Sequence, residues 1–138
     1  MITVRVLRGK VSCGLGLATR NFDSVMGLIR AHTGLGSLVS GTVNLRVDDP
    51  YRLCPDFNLE PSEYNFKEPL VFQRCRVLRM RCVLVRPYEG DPRTYHNPLD
   101  VLEVMSERHF RTELGITDGS ELEVEVEGDD QWWAGDPV

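Results

Sequence analysis

Gly119-Ser120-Glu121-Leu122-Glu123-Val124-Glu125-Val126-Glu127 has the most regular pattern in the chain. Leu122, Val124 and Val126 fall on one face, the four glutamates on the other. That period of two is the mark of a strand with one buried and one wet face. Thr117-Asp118-Gly119 supplies the turn that leads into it. Working outward, Val101, Leu102, Val104 and Met105 fit either strand or helix, and strand is the expectation. Ser106 then reads as the N-cap of a helix over Glu107 to Leu114 that stops at Gly115. Leu70 to Val85 is sheet-forming, but its arginines change phase, from Arg74 and Arg76 to Arg79 and Arg81. A bulge or tight reversal near Val77–Leu78 accounts for the change.

Nearer the start, Ile2, Val4 and Val6 alternate with Thr3 and Arg5, which predicts a first strand ending near Gly9. A glycine segment follows. Asp23 or Ser24 can cap a short helix with Val25, Leu28 and Ile29 on one face and Gly34 as its stop. Gly41 to Val47 alternates again. Residues 48–69 read as a long surface excursion with a short irregular strand near Tyr64 to Phe66. Many short strands with two brief helices predict a mainly β fold, a small closed barrel whose closure removes exposed edges. The expected organisation is one domain over 1–128 and a C-terminal tail over 129–138, where Trp132 and Trp133 show no period.

Composition narrows the function classes. The 138 residues are 41% hydrophobic and 27% charged, and 16 Lys and Arg against 21 Asp and Glu leave a net charge of −5. One globular domain of this size buries roughly two-thirds of its unfolded surface. The acidic balance disfavours wholesale nucleic-acid binding. No apolar run approaches the roughly 18 residues of a membrane span, and the first residues start a strand where a signal peptide would turn greasy. A monomeric cytoplasmic protein is expected. Cys13, Cys54, Cys75 and Cys82 include no Cys-x-x-Cys, so free thiols are expected and a zinc site is not.

Among candidate sites, Gly9-Lys10-Val11-Ser12-Cys13-Gly14-Leu15-Gly16 is no Walker A, since Gly-Lys opens the segment. Its glycines either permit a tight turn or aim backbone N–H groups at phosphate oxygens, with Arg20 adding charge. Thr42 and Asn44, two apart on a strand, project oxygens from one face toward a hard cation such as Mg²⁺. Asn is a poor strand residue, which makes Asn44 the more informative. Arg108, His109 and Arg111 offer donors for an anion or a base edge, although arginines on a short surface helix are usually just solvated. The arginines of 74–81 lack interleaved aromatics and face glutamates, so cross-strand neutralisation is the plainer reading. No Ser or Cys stands at a recognisable triad spacing from a histidine.

Taken in order, Gly9-x-Val11-x-x-Gly14-Leu15-Gly16, Gly41-Thr42-Val43-Asn44-Leu45, Thr94-Tyr95-His96 and the segment from Leu102-Glu103-Val104 through Arg111-Thr112-Glu113-Leu114-Gly115 to Val124 resemble the archaeal-type CTP-dependent riboflavin kinase family. These are small six-stranded cradle-loop barrels that convert riboflavin to FMN. The resemblance implies a nucleotide wrapped by Gly14, Leu15, Gly16, Leu17, Ala18, Thr19 and Arg20 and contacted by Arg108, His109, Phe110 and Arg111. It implies Mg²⁺ on Thr42 and Asn44, and flavin contacts from Thr94 and Glu103. Where the family's loop usually runs through an acidic residue and a further glycine, this chain has Leu17-Ala18-Thr19. The competing classes are a non-catalytic nucleotide- or flavin-binding sensor barrel and a swapped-hairpin DNA-binding barrel.

Overall fold

The computed structural model describes residues 4–12, 26–38, 43–60, 69–87 and 99–134. The described strands are β1 (Arg5–Ser12), β2 (Val43–Val47), β3 (Phe57–Leu59), β4 (Leu70–Val77), β5 (Met80–Pro87), β6 (Val101–Ser106) and β7 (Glu121–Val126). The helices are α1 (Met26–Thr33), α2 (Phe110–Leu114) and α3 (Asp130–Ala134). All pairings are antiparallel, in the order β3-β4-β5-β6-β2-β1-β7, and a further β4–β7 pairing joins the ends. The result is a closed six-stranded barrel with β3 as an extra strand on β4.

Alternation along each strand divides the side chains between two cores. Leu7, Val11, Leu45, Cys75, Cys82, Leu84, Leu102, Val104, Leu122, Val124 and Val126 fill the barrel interior. The opposite faces of β4, β5 and β6 send Phe72, Val83, Val85 and Met105 outward, to pack with Ile29 of α1, Leu35 and Trp133 of α3. Gly9 occupies an inward position where a Cβ would lie 2.8 Å from the Arg46 carbonyl oxygen, so glycine lets β1 close against β2. The first strand therefore runs to Ser12, beyond the predicted end. Its inward set is Leu7, Gly9 and Val11, which leaves Val6 47% exposed and reverses the face expected from Val4 and Val6.

The arginine phase change resolves as a tight reversal. Leu78 and Arg79 form a two-residue turn with φ of 52° and 65° between β4 and β5, and Val77 pairs with Met80. Turns with both central residues left-handed match the twist of a hairpin, but they favour Asn and Gly because a Cβ is costly there. Leu78 is half exposed. Leu78→Asn is therefore expected to stabilise the protein by about 0.5–1 kcal/mol, read as a higher midpoint in urea.

Ser106 is not a helix cap. It ends β6, pairs with Cys82 and uses its hydroxyl to hold the Arg108 backbone. The helix starts at Phe110, with His109 as N-cap: its Nδ1 accepts from Thr112 N at 3.3 Å. Gly115 ends it in the left-handed region at φ 68°, as expected. In 48–69 the described strand is Phe57–Leu59, and Tyr64 to Phe66 lie outside the described residues. The tail that showed no period contains α3, seated on β4.

Cys75 and Cys82 pair directly across β4–β5 inside the barrel, both fully buried. Burial pushes both thiols up, Cys82 to about 12. The unfolded thiol ionises near about pH 8.5, so below that both states keep the proton and stability is intact. As pH climbs from there toward 12, the unfolded chain sheds protons that the folded one retains. Stability is expected to fall by about 1.4 kcal/mol per pH unit for each such thiol. Urea unfolding between pH 8 and 10 under reducing conditions checks this, with a shallower slope expected for Cys82→Ala.

Candidate functional site

One cross-strand row organises the outer face of the barrel. Register places Ser12 of β1 opposite Asn44 of β2, Asn44 opposite Glu103 of β6, and Glu103 opposite Val85 of β5. The row continues through Phe72 of β4 to Phe57 of β3. Side chains directly opposite in antiparallel strands stand on the same face, about 4.5–5.5 Å apart at Cβ. The row therefore changes character along its length. Its apolar half lies beneath α1, where His32, Phe57 and Phe72 stack with centroids 4.3 and 4.7 Å apart. Its polar half sets a hydroxyl, a carboxamide and a carboxylate side by side.

Asn44 and Glu103 are 7% and 4% exposed. Burying a carboxylate and a carboxamide on the outer face of the barrel is costly unless both are satisfied. Their donor chemistry suits a hard cation: a carboxamide oxygen with a carboxylate close by, both oxygen ligands of the kind Mg²⁺ takes. Among the described residues no cluster of three or more His, Cys, Asp or Glu side chains is gathered for a metal. A cation here would draw most of its ligands from water or from a phosphate.

The strand ends converge as well. β1 runs out at Ser12, β2 begins at Val43 and β6 closes at Ser106, all at one end of the barrel, where Gly119 N donates to Val11 O at 2.8 Å. The chain continuing from β6 into Arg108–Arg111 starts there. Of the four residues expected to contact a nucleotide, Phe110 points into the barrel core and offers a ligand only its backbone. Arg111 Nη2 lies 2.5 Å from Asp118 Oδ1, and Arg108 Nε lies 4.0 Å from Glu113 Oε1. His109 is engaged in the cap, and its N–H donates to Glu113 Oε2. Gly14, Leu15, Gly16, Leu17, Ala18, Thr19, Arg20, Thr42 and Thr94 lie outside the described residues.

Sequence reading overlooked Ser12, whose place in the row follows once β1 is known to extend past Gly9. It also overlooked Lys10 and Arg46, which pair directly on the outer face one row from Ser12 and Asn44. The alternation of Arg8, Lys10 and Ser12 with Leu7, Gly9 and Val11 carries that signal. The arginines of 74–81 meet the expected glutamates in part, since Arg76 of β4 stands directly opposite Glu125 of β7, and other partners come from the tail and the turn. Arg74 Nη2 lies 2.5 Å from Asp130 Oδ1, and Arg76 donates to the carbonyls of Trp133 and Arg79 at 3.0 and 2.6 Å. Trp133 lies between Arg74 and Arg81, whose guanidinium carbons are 5.2 and 5.3 Å from its ring. The aromatic absent from that stretch of sequence comes from the tail.

No described helix is long and apolar enough to cross a membrane. No protein-family model matches the chain, and no curated protein matches it significantly.

Proposed function

We propose that the chain is a nucleotide-dependent riboflavin kinase, transferring the terminal phosphate of CTP, or of another nucleoside triphosphate, to riboflavin. The observation that carries this reading is the direct Asn44–Glu103 pairing in a buried polar row on the outer face. Residues 59 positions apart, expected from the resemblance to hold a cation and the flavin respectively, are neighbours. Phosphoryl transfer asks little covalent chemistry of a protein and much positioning and charge neutralisation. In the reaction, the terminal ribityl hydroxyl oxygen forms a bond to the γ-phosphorus, the bond from that phosphorus to the β-phosphate bridging oxygen breaks, and CDP leaves. The hydroxyl proton passes to solvent.

Asn44, with Thr42, would hold Mg²⁺, which when bound supplies neutralisation of the phosphate charge. Glu103 accepts a hydrogen bond from the flavin and fixes its orientation. Its location next to Asn44 keeps the acceptor hydroxyl within reach of the phosphate. Arg108 and the backbone of 110 and 111 add donors at the barrel end, where the glycine segment begins.

Incubating the protein with riboflavin, Mg²⁺ and either CTP or ATP, and reading FMN by mass, tests the proposal. Asn44→Ala is expected to lower turnover by about 10- to 100-fold at limiting Mg²⁺, with partial recovery as Mg²⁺ is raised. Unchanged turnover removes the metal assignment. Riboflavin binding without FMN from either nucleotide replaces the kinase by a flavin-binding sensor.

A further inference from the structure

The row next to Ser12–Asn44 carries a feature that folding alone does not favour. Lys10 of β1 and Arg46 of β2 are directly opposite on the same outward face. Like charges directly opposite in a sheet are destabilising, and this chain carries a net charge of −5 with acidic residues to spare. Among the described residues, the pair is relieved from its flanks. Arg46 Nη1 reaches Asp100 Oδ2 at 3.2 Å on one side. Lys10 faces Glu121 of β7 across the other, and Arg8, one row further, lies 3.8 Å from Glu123. Lys10 borders a depression of about 430 Å³ together with Arg8, Asp48, Glu121 and Glu123.

We propose that Lys10 and Arg46 form an anion subsite for the outer phosphates of a polyphosphate, lying against the Ser12–Asn44 row. Asp100 and Glu121 offset the repulsion only from outside the pair, and a like-charge pair kept in such a place is a local rule bent, for which function is a usual reason. An anion between the two cations converts their repulsion into two attractions. A lysine on a flexible stem meets a phosphate as a point charge, while the arginine, held in place by Asp100, presents a fixed fork. The Ser12 hydroxyl and Asn44 carboxamide stand two residues along the strands, the next pair on the same face, so a phosphate chain anchored by the cations is carried toward those oxygens. The subsite deepens the kinase reading, in that it takes the donor's phosphates, but it can be measured without turnover.

The probe is inorganic tripolyphosphate with Mg²⁺, titrated into the full chain by calorimetry at low and raised salt. Wild-type protein is expected to bind, less tightly as salt rises. Lys10→Gln is expected to weaken binding about tenfold, and Lys10→Arg to retain it. Without the anion, the melting temperature of Lys10→Gln is expected to equal that of wild type, because the repulsion from Arg46 and the attraction to Glu121 are removed together. A purely structural lysine gives the opposite pattern, a lower melting temperature with unchanged affinity, and that result overturns the proposal. So does a wild-type chain that ignores tripolyphosphate. If tripolyphosphate binds through Lys10 but no FMN forms, the kinase reading falls and the subsite stands. If FMN forms and Lys10→Gln leaves the Michaelis constant for the nucleotide unchanged, the subsite falls and the kinase reading stands.

Discussion

Trp133→Ala is expected to destabilise the protein by about 3–5 kcal/mol, the range for removing a large buried aromatic. The side chain is 4% exposed and packs in the outer core with Phe72, Val83 and Met105. Its Nε1–H donates to the Cys75 carbonyl at 3.1 Å, and Arg74 and Arg81 lie 5.2 and 5.3 Å from its ring centroid. Truncation therefore removes a hydrogen bond, two cation–π contacts and the packing under them. Arg76 still reaches the carbonyls of Trp132 and Trp133, so α3 would remain tethered by its backbone. For a chain of this size the loss corresponds to roughly 10–15 °C in melting temperature. Trp133→Phe, keeping a ring but no N–H, is expected to recover more than half. A loss below about 1 kcal/mol for Trp133→Ala would mean that α3 is not part of the cooperative unit. Gly128 belongs to the same arrangement, since a Cβ there would fall 2.3 Å from the Trp132 ring.

Arg86→Met is expected to cost about 2–5 kcal/mol, through two carbonyl oxygens left without their donors. Arg86 is 1% exposed on β5. Its Nη1 donates to Tyr51 O at 2.8 Å and its Nη2 to Val101 O at 2.7 Å, joining three separate stretches of chain. Around it, Val47 N donates to Asp100 O and Tyr51 N to Leu99 O, both at 2.8 Å. Tyr51 is held further by its hydroxyl, which accepts from Gln73 Nε2 at 2.9 Å and donates to Glu127 Oε2 at 3.1 Å. Burial, more than the neighbouring carboxylate, pushes that phenol well above its ordinary range. Arg86→Lys keeps the charge without the fork and is expected to recover less than half. Urea unfolding measures the cost, and amide exchange at Val47 and Tyr51 locates it. A methionine variant as stable as wild type would mean that desolvating the guanidinium costs as much as its hydrogen bonds return.

Much of the barrel was legible because its strands are half-buried, and half-burial writes itself into sequence as alternation. Glu121 to Val126 shows this most clearly and β2 follows, whereas β6, buried on both faces from Leu102 to Ser106, fits strand or helix when read from sequence. The arginine phase change marks a bulge or a tight reversal near Val77–Leu78, and the fold takes the second, a two-residue hairpin turn. Where reading failed, a local signal competed with a distant one. Ser106 has the chemistry of a cap, but pairing with Cys82 keeps it in β6, and the cap passes to His109. Val4 and Val6 alternate convincingly, but the inward face belongs to Leu7, Gly9 and Val11, since closure against β2 depends on the glycine. The tail helix has no period of its own. Five residues become a helix because Trp133 finds a bed on β4 and Arg76 donates to the carbonyls of Trp132 and Trp133.

The site divides along the same line. Asn44 could be singled out from sequence, because an asparagine in a β-branched strand breaks a propensity that is local to it. Glu103 as a site residue rests on resemblance, and its place beside Asn44 follows from the pairing of β2 with β6. The partnership of Asn44 with Glu103 and Ser12, and of Lys10 with Arg46, depends on which strands neighbour one another and in what register. The strand pattern, the acidic balance and the identity of the oxygen and nitrogen donors are properties of the chain read residue by residue. Their assembly into one row was decided by barrel closure, because register is set by burying the inward face of every strand at once and no single segment contains that constraint.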